Sequence, residues 1–378
     1  MKNITYLDNS ATTKPCDKAI EYMTKALCEN WGNPSSLHTA GIAAEDMLLS
    51  CKEACAKAIG ARTDEIFFTS GGTEANNIAI NGAVSSKAKR GNRIVTTMLE
   101  HPSVLEAIKQ FENKGFEVIY LKPESNGKIS AESLKSAINE KTILVSIMLV
   151  NNEIGSIQPV KEAASIIKSV GAPALLHCDA VQAFGKLPIK AASLGVDLLT
   201  FSGHKVHAPK GIGVLYKKKN VHIQPLTFGG GQQENLRPGT EPVPLIAALQ
   251  GAILSLPDIE VQHSAMDKLC SYAKDQLLSL GTVCINSPDD ALPYLLNISV
   301  PGWRSETLLH FLDSRGVLVS SGSACAKGGL SPTLTALGLD SKRIDSTLRI
   351  SFSRYNTKED VDNLCSALKE ATNKLKRA

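Results

Sequence analysis

The sequence predicts an α/β protein built on a large, mostly parallel sheet and followed by a smaller α+β domain. Three observations carry this. Between residues 66 and 216, seven short β-branched runs alternate with helix-like stretches. Several of these runs are apolar nearly throughout, as strands covered on both faces by crossover helices must be. After "FGGGQQENLRPGT" the alternation stops, and at 378 residues the chain is longer than one hydrophobic core comfortably serves.

The strands of the first part are expected at "EIFFTS", "RIVTTM", "FEVIYL", "TILVSIML", "ALLHCDA", "DLLTFSG" and "GIGVLY". An amphipathic helical stretch then fills 243–280, and "YLLNISV", "GVLVSSGS" and "STLRISFS" read as strands of the second part. The helix-like tail "KEDVDNLCSALKEATNKLKRA" closes it. The expected division is 1–254 and 255–378, with the N-terminal segment free to pack on the small domain. No internal repeat or low-complexity linker interrupts the chain.

Composition narrows the function classes. A chain that is 43% hydrophobic and 21% charged belongs to a folded globular protein rather than a disordered one. The net charge of +4 is dispersed, and the compact run Lys217, Lys218, Lys219 follows an apolar strand as a solvated turn would, so no nucleic-acid partner is expected. "MKNITYLDNSATTKP" lacks the apolar region of a signal peptide, and "TILVSIMLV" is too short to cross a bilayer. A cytoplasmic protein without membrane contact is expected. Nine cysteines without a CxxC pair read as free thiols in a reducing compartment. Cys51 and Cys55, four apart, read as core packing.

Ligands of open α/β sheets sit beyond the carboxyl ends of the strands, so polar residues there carry the chemistry. "FTSGGTEANN" places Gly72 and Thr73 where a helix opens after a strand, a geometry that cradles phosphate on backbone N–H groups and also serves an ordinary capped turn. No GxGxxG follows a strand, which disfavours a dinucleotide site. "CDAVQ" ends a strand with Asp179 and Gln182, and "LLTFSGHK" ends another with Ser202, His204 and Lys205. His204 and His207 stand three apart, but no third metal ligand lies nearby, so no metal site is expected. A phosphate cradle, a carboxylate and a lysine together form the kit of a pyridoxal 5'-phosphate enzyme. "SSGSACAKGGL" adds a thiol, Cys325, in a run with almost nothing to bury, where a cysteine is kept for reactivity.

"YLDNSATT", "GNPSSLH", "FTSGGTEANN", "EHPSV", "VNNEIG", "DAVQ", "TFSGHKVHAPKGIGVLY", "RPGTEPVP" and "SSGSAC", in this order from Tyr6 to about Arg354, resemble the cysteine desulfurases of the NifS/IscS type within the class V aminotransferase group. The resemblance implies the fold type I architecture of pyridoxal phosphate-dependent transferases, with the large domain holding the cofactor and the small one the catalytic cysteine loop. It implies Lys205 as the Schiff-base lysine, Asp179 on the pyridine nitrogen, Gln182 and Asn152 on the phenolic oxygen, and His101 stacked on the ring. Gly72, Thr73, Ser202 and His204 would bind the phosphate with Thr240 of the partner subunit of a homodimer. Arg349 would clamp the substrate carboxylate, with Asn33 near the substrate. Cys325 would be the nucleophile that takes sulfur from L-cysteine, leaving alanine and a persulfide.

The implied onward partner is a sulfur-acceptor protein, an iron–sulfur scaffold or a tRNA-thiolation enzyme. The segment from Cys325 to "TALG", with "AKGGLSP", is a residue or two shorter and less polar than in the housekeeping members, which bears on the reach of the persulfide. Two rival classes remain at this point: a selenocysteine lyase or aminotransferase of the same fold, and a non-enzymatic sulfur carrier or scaffold.

Overall fold

The computed structural model describes residues 4–321 and 330–377. In chain order its elements begin with β1 (Thr5–Tyr6), α1 (Asp17–Cys28), α2 (Thr39–Ile59), β2 (Ile66–Thr69), α3 (Gly72–Lys87), β3 (Arg93–Thr97) and α4 (Pro102–Glu112). β4 (Glu117–Leu121), α5 (Ala131–Ala137), β5 (Thr142–Ser146), α6 (Val160–Val170), β6 (Leu175–Asp179), α7 (Ala191–Leu194), β7 (Leu198–Ser202) and β8 (Gly213–Lys217) complete the first part. α8 (Val243–Leu254) follows and packs on α1 and α2, and the second part holds α9 (Ile259–Ser279), β9 (Cys284–Ile285), β10 (Leu295–Ser299), α10 (Ser305–Ser314), β11 (Val317–Leu318), α11 (Pro332–Ala336), α12 (Ser341–Asp345), β12 (Thr347–Ser351) and α13 (Lys358–Lys374).

Seven strands form the large sheet in the order β2-β8-β7-β6-β5-β3-β4. The pairs from β7 through β4 are parallel, and β8 runs antiparallel between β7 and β2. Every residue of β5, β6 and β7 is buried, as strands of largely apolar character covered on both faces are. One face of the sheet is covered by α3 and α4 through Ala75, Ile78, Val104, Ile108 and Phe111. The other face belongs to a larger core that takes in Cys51 and Cys55 of α2 and runs on into Leu295, Leu348 and Leu364 of the second part.

That second part contains an antiparallel sheet in the order β12-β10-β9, backed by α9, α10 and α13. The N-terminal β1 pairs in parallel with β11, more than 300 residues away, so the first residues of the chain are stitched to the last third. The lysine run at the end of β8 is solvated and partly paired, Lys218 with Asp197 at 3.8 Å and Lys219 with Asp64 at 3.1 Å. Among the described residues no single helix is long and apolar enough to cross a membrane.

Candidate active site

Strand order reverses between β3 and β5, the point at which an open sheet leaves a crevice beyond its carboxyl ends. A cavity of about 440 Å³ opens there. Glu100, in the turn between β3 and α4, spans the crevice: its Oε1 accepts from Thr97 Oγ1 at 2.9 Å and from the Met148 N–H at 2.8 Å. Burial pushes its carboxyl up to about 8, so it is a neutral acid at pH 7.

Asp179 closes β6 and is fixed on both oxygens. The Val181 N–H donates to Oδ1 at 2.9 Å, and Asn76 Nδ2 donates to Oδ2 at 2.8 Å. Asn76 lies one turn into α3 and also donates to Ser103 Oγ at 2.9 Å. That hydroxyl stands 2.8 Å from His101 Nδ1, which accepts the Ser103 N–H at 3.1 Å and so caps α4 ahead of Pro102. A Nδ1 that accepts carries no proton, which places the proton of the neutral ring on Nε2. Burial lowers the His101 pKa, with Asp179 opposing the shift and Lys205 adding to it.

Lys205 sits in the single turn Gly203–Lys205 that follows β7. Its Nζ donates to the carbonyls of Ser10 and Ala11, the second at 2.8 Å, and Gln182 Nε2 donates to the same Ser10 carbonyl at 3.0 Å. His204 Nδ1 is 3.2 Å from Thr12 Oγ1, while burial, then the charges of Lys205 and Lys210, push its pKa down to about 4. His207 bonds the Lys14 carbonyl through Nδ1 at 2.9 Å, two residues further along the same N-terminal segment.

The N-terminus of the 16-residue α3 faces the same cavity through Gly72 and Thr73, beside Ser202. The first N–H groups of a helix have no intrahelical partner, so this end is a natural anion cradle. A Cβ at Gly72 would stand 3.0 Å from Val181 Cγ2, tighter than ordinary contact, so the glycine allows α3 to start against the β6 turn.

From the opposite wall comes Arg349 of β12, buried with its guanidinium held by two acceptors. Nη1 donates to the Asn152 carbonyl at 3.1 Å and Nη2 to Asp8 Oδ1 at 3.0 Å. Its backbone bonds Ser320 in both directions, and Ser331 Oγ donates to Glu153 Oε2 at 2.5 Å. Both flanks of the segment that carries Cys325 are thereby tied to residues at the cavity wall, Arg349 and Glu153. Cys325 itself lies outside the described residues.

The structure thus gathers Gly72, Thr73, His101, Asn152, Asp179, Gln182, Ser202, His204, Lys205 and Arg349 around one cavity. It does not bring Asn33 or Thr240 to it. Asn33 is exposed, accepting the Ser35 N–H through its own Oδ1, and Thr240 lines a separate surface cleft with Phe228 and Arg237. Asn76, Ser103, Glu100 and Asp8 belong to the site and are not singled out by sequence. Asn76 had a signal, its position four residues after Gly72 on the helix face that starts at the cavity.

The class V aminotransferase family profile matches residues 5–364. The chain is 40% identical over 375 residues to the cysteine desulfurase IscS of Methanosarcina thermophila, covering 98% of this chain and 92% of that protein. It is 41% identical over 376 residues to the putative cysteine desulfurase IscS 1 of Bacillus subtilis (strain 168), covering 98% and 99%. Among solved structures it is similar to one described as a NifS-like protein, with a TM-score of 0.93, 38% identity and coverage of 98% and 100%. It is also similar to one described as SspA in complex with cysteine, with a TM-score of 0.82, 33% identity and coverage of 93% and 99%. The architecture is that of fold type I transferases, and the chain belongs to the class V aminotransferase family, among its cysteine desulfurases of the NifS/IscS type.

Proposed function

We propose that this chain is a pyridoxal phosphate-dependent cysteine desulfurase that takes sulfur from L-cysteine, releases alanine and carries the sulfur on Cys325. The observation that carries the reading is the convergence of Lys205, Asp179, Arg349 and the start of α3 on one cavity. The cavity also asks for a polar occupant. Four buried polar atoms without a partner among the described residues, Ser10 Oγ, Asn76 Oδ1, Glu100 Oε2 and Arg349 Nε, belong to residues that line it.

Bound there, pyridoxal phosphate supplies an aldehyde carbon that takes up a primary amine and a protonated ring that withdraws electrons from the carbon bearing that amine. Lys205 is the amine that would hold it, and Asp179 would keep the ring nitrogen protonated. His101 would lie on the ring face, Gln182 and Asn152 would face the ring oxygen, and Gly72, Thr73, Ser202 and His204 would take the phosphate. Arg349 binds the carboxylate of L-cysteine through its planar fork, and Asp8 holds the guanidinium in place before substrate arrives. Lys205, as a free amine, would remove the proton from the substrate Cα and return it at the end of the reaction. The Cys325 thiolate then attacks the substrate sulfur: the S–S bond forms as the Cβ–S bond breaks, and the electron pair stays with the three-carbon fragment, which is protonated and leaves as alanine.

In this reading the enzyme is a cytoplasmic homodimer divided near residue 255, and Thr240 of the partner subunit completes the phosphate site. Leu37 and Phe228, 97% and 87% exposed, are the apolar surface a second copy would cover. A sulfur-acceptor protein would then relieve Cys325 of its cargo.

Borohydride treatment of the yellow protein followed by peptide mapping tests the assignment. The cofactor should be fixed on Lys205, and attachment to another lysine contradicts it. Alanine formation from L-cysteine without any keto acid separates a desulfurase from an aminotransferase.

A further inference from the structure

Lys186 is buried beside the site, four residues after Gln182. Its Nζ donates to Gln182 Oε1 at 3.3 Å and lies 5.8 Å from the centre of the Tyr294 ring. No carboxylate among the described residues stands in ion-pair contact with it. The charges around it are of its own sign, Lys205 from the turn after β7 and Arg349 from β12. His207, Tyr294 and Arg354 are the other titratable or charged groups on the small cavity, about 30 Å³, that Lys186 and Lys205 both line. A methionine would fill the same space without the cost of burying a cation, so the charge calls for a reason beyond packing.

Hydrogen bonds supply that reason. Lys186 donates to Gln182 Oε1, Gln182 Nε2 donates to the Ser10 carbonyl, and Lys205 donates to the same carbonyl. With Oε1 accepting from Lys186 Nζ and Nε2 donating to the Ser10 carbonyl, the Gln182 carboxamide is held with its nitrogen toward Ser10 and the cavity. We propose that Lys186 is a positioning residue, which locks Gln182 with its N–H toward the cofactor's ring oxygen and sets a buried positive charge behind Lys205. This rests on the desulfurase reading above. Burial, then the charges of Lys205 and Arg349, bring Lys186 itself down to about 7, and the repulsion acts equally on a proton held at Lys205.

The two roles separate in two variants of the full-length holoenzyme. Lys186→Met removes both charge and donor, whereas Lys186→Gln keeps a donor to Gln182 and removes only the charge. Lys186→Met should raise the pH midpoint of the visible band of the lysine-bound cofactor by about one unit, and weaken cofactor binding about five-fold. Lys186→Gln should show the pH displacement with nearly wild-type cofactor affinity. Adding Lys186→Met to Gln182→Ala should weaken affinity no further than Gln182→Ala alone. An unchanged pH midpoint in both variants, or losses of affinity that multiply in the double variant, would overturn the inference while leaving the desulfurase reading intact. A wild-type protein that binds no pyridoxal phosphate at Lys205 overturns both.

Discussion

At the floor of the cavity, Asp179, Asn76, Ser103 and His101 form one hydrogen-bonded chain with contacts of 2.8 to 3.1 Å, while the expected rim, Asn33 and Thr240, stands exposed outside the cavity and touches none of it. The floor is assembled from the end of the buried strand β6 and the starts of α3 and α4, tied by hydrogen bonds, so its side chains are held before any ligand arrives. The rim is made of loops with little to bury within one chain. In the proposed reading, the electrostatics of the reaction are fixed within one chain, and closure over the cofactor and sulfur delivery fall to surfaces that meet a second copy or an acceptor.

Breaking the floor should have the largest effect. Lys205→Ala is expected to lower alanine formation from L-cysteine by about a thousand-fold or more, since in the proposed mechanism it removes both the cofactor's anchor and the base. The melting temperature of the cofactor-free protein should stay near wild type. Asp179→Asn should come next, with turnover reduced about a hundred-fold, because the amide cannot hold a proton on the ring nitrogen. Steady-state kinetics at saturating pyridoxal phosphate reads this. A variant that kept more than a tenth of the wild-type rate would show that the ring nitrogen has another partner.

Breaking the rim should cost less and in a different quantity. Thr240→Ala is expected to weaken cofactor retention about ten-fold or less, the loss of one hydrogen bond to an anion, with turnover recovered at high pyridoxal phosphate. Mixed dimers of Thr240→Ala and Lys205→Ala protomers should regain one working site. Absence of complementation after confirmed subunit exchange would mean that each site belongs to a single chain.

The smallest effect on turnover at neutral pH, and a clear one on stability, should come from the layer below the floor. His177 is wholly buried between Ser146 and Thr200, and burial pushes its pKa down to about 4. The folded form therefore refuses a proton that the unfolded chain accepts near pH 6.5. Stability is fully present above that pH and declines as pH falls toward 4, with His177 contributing roughly 2 to 3 kcal/mol of the loss. His204 and His207, also pushed down to about 4, add to the same slope. Urea titrations at pH 7.5 and 5 should show the drop, and His177→Gln should make it shallower.

The floor was also the more legible half of the molecule. Runs such as "TILVSIML" and "DLLTFSG" announce strands covered on both faces, and the polar residues at their ends announce the cavity. Strand direction is not written in such runs, because an apolar stretch reads the same either way, so the antiparallel β8 between β2 and β7 emerges only from the pairing. Ser103 and Lys186 were illegible for a related reason, and Asn76 showed only its place on the face of α3. Asn76 matters because α3 meets β6 across 103 positions of sequence, and Lys186 because its neighbours come from β12 and the turn after β7. The pairing of β1 with β11, which carries Asp8 toward Arg349, is of the same non-local kind.

The most direct measurement sets the thiol against the floor. Cys325→Ser leaves every group of the hydrogen-bonded floor in place, so it should keep the yellow colour and the spectral change on adding L-cysteine. Alanine formation should be abolished. In the wild type, brief reaction with L-cysteine followed by alkylation and peptide mass analysis should find one extra sulfur on Cys325 and on none of the other eight cysteines. Normal alanine formation by Cys325→Ser, or the extra sulfur on a different cysteine, would contradict a floor that prepares the substrate and a separate thiol that takes its sulfur.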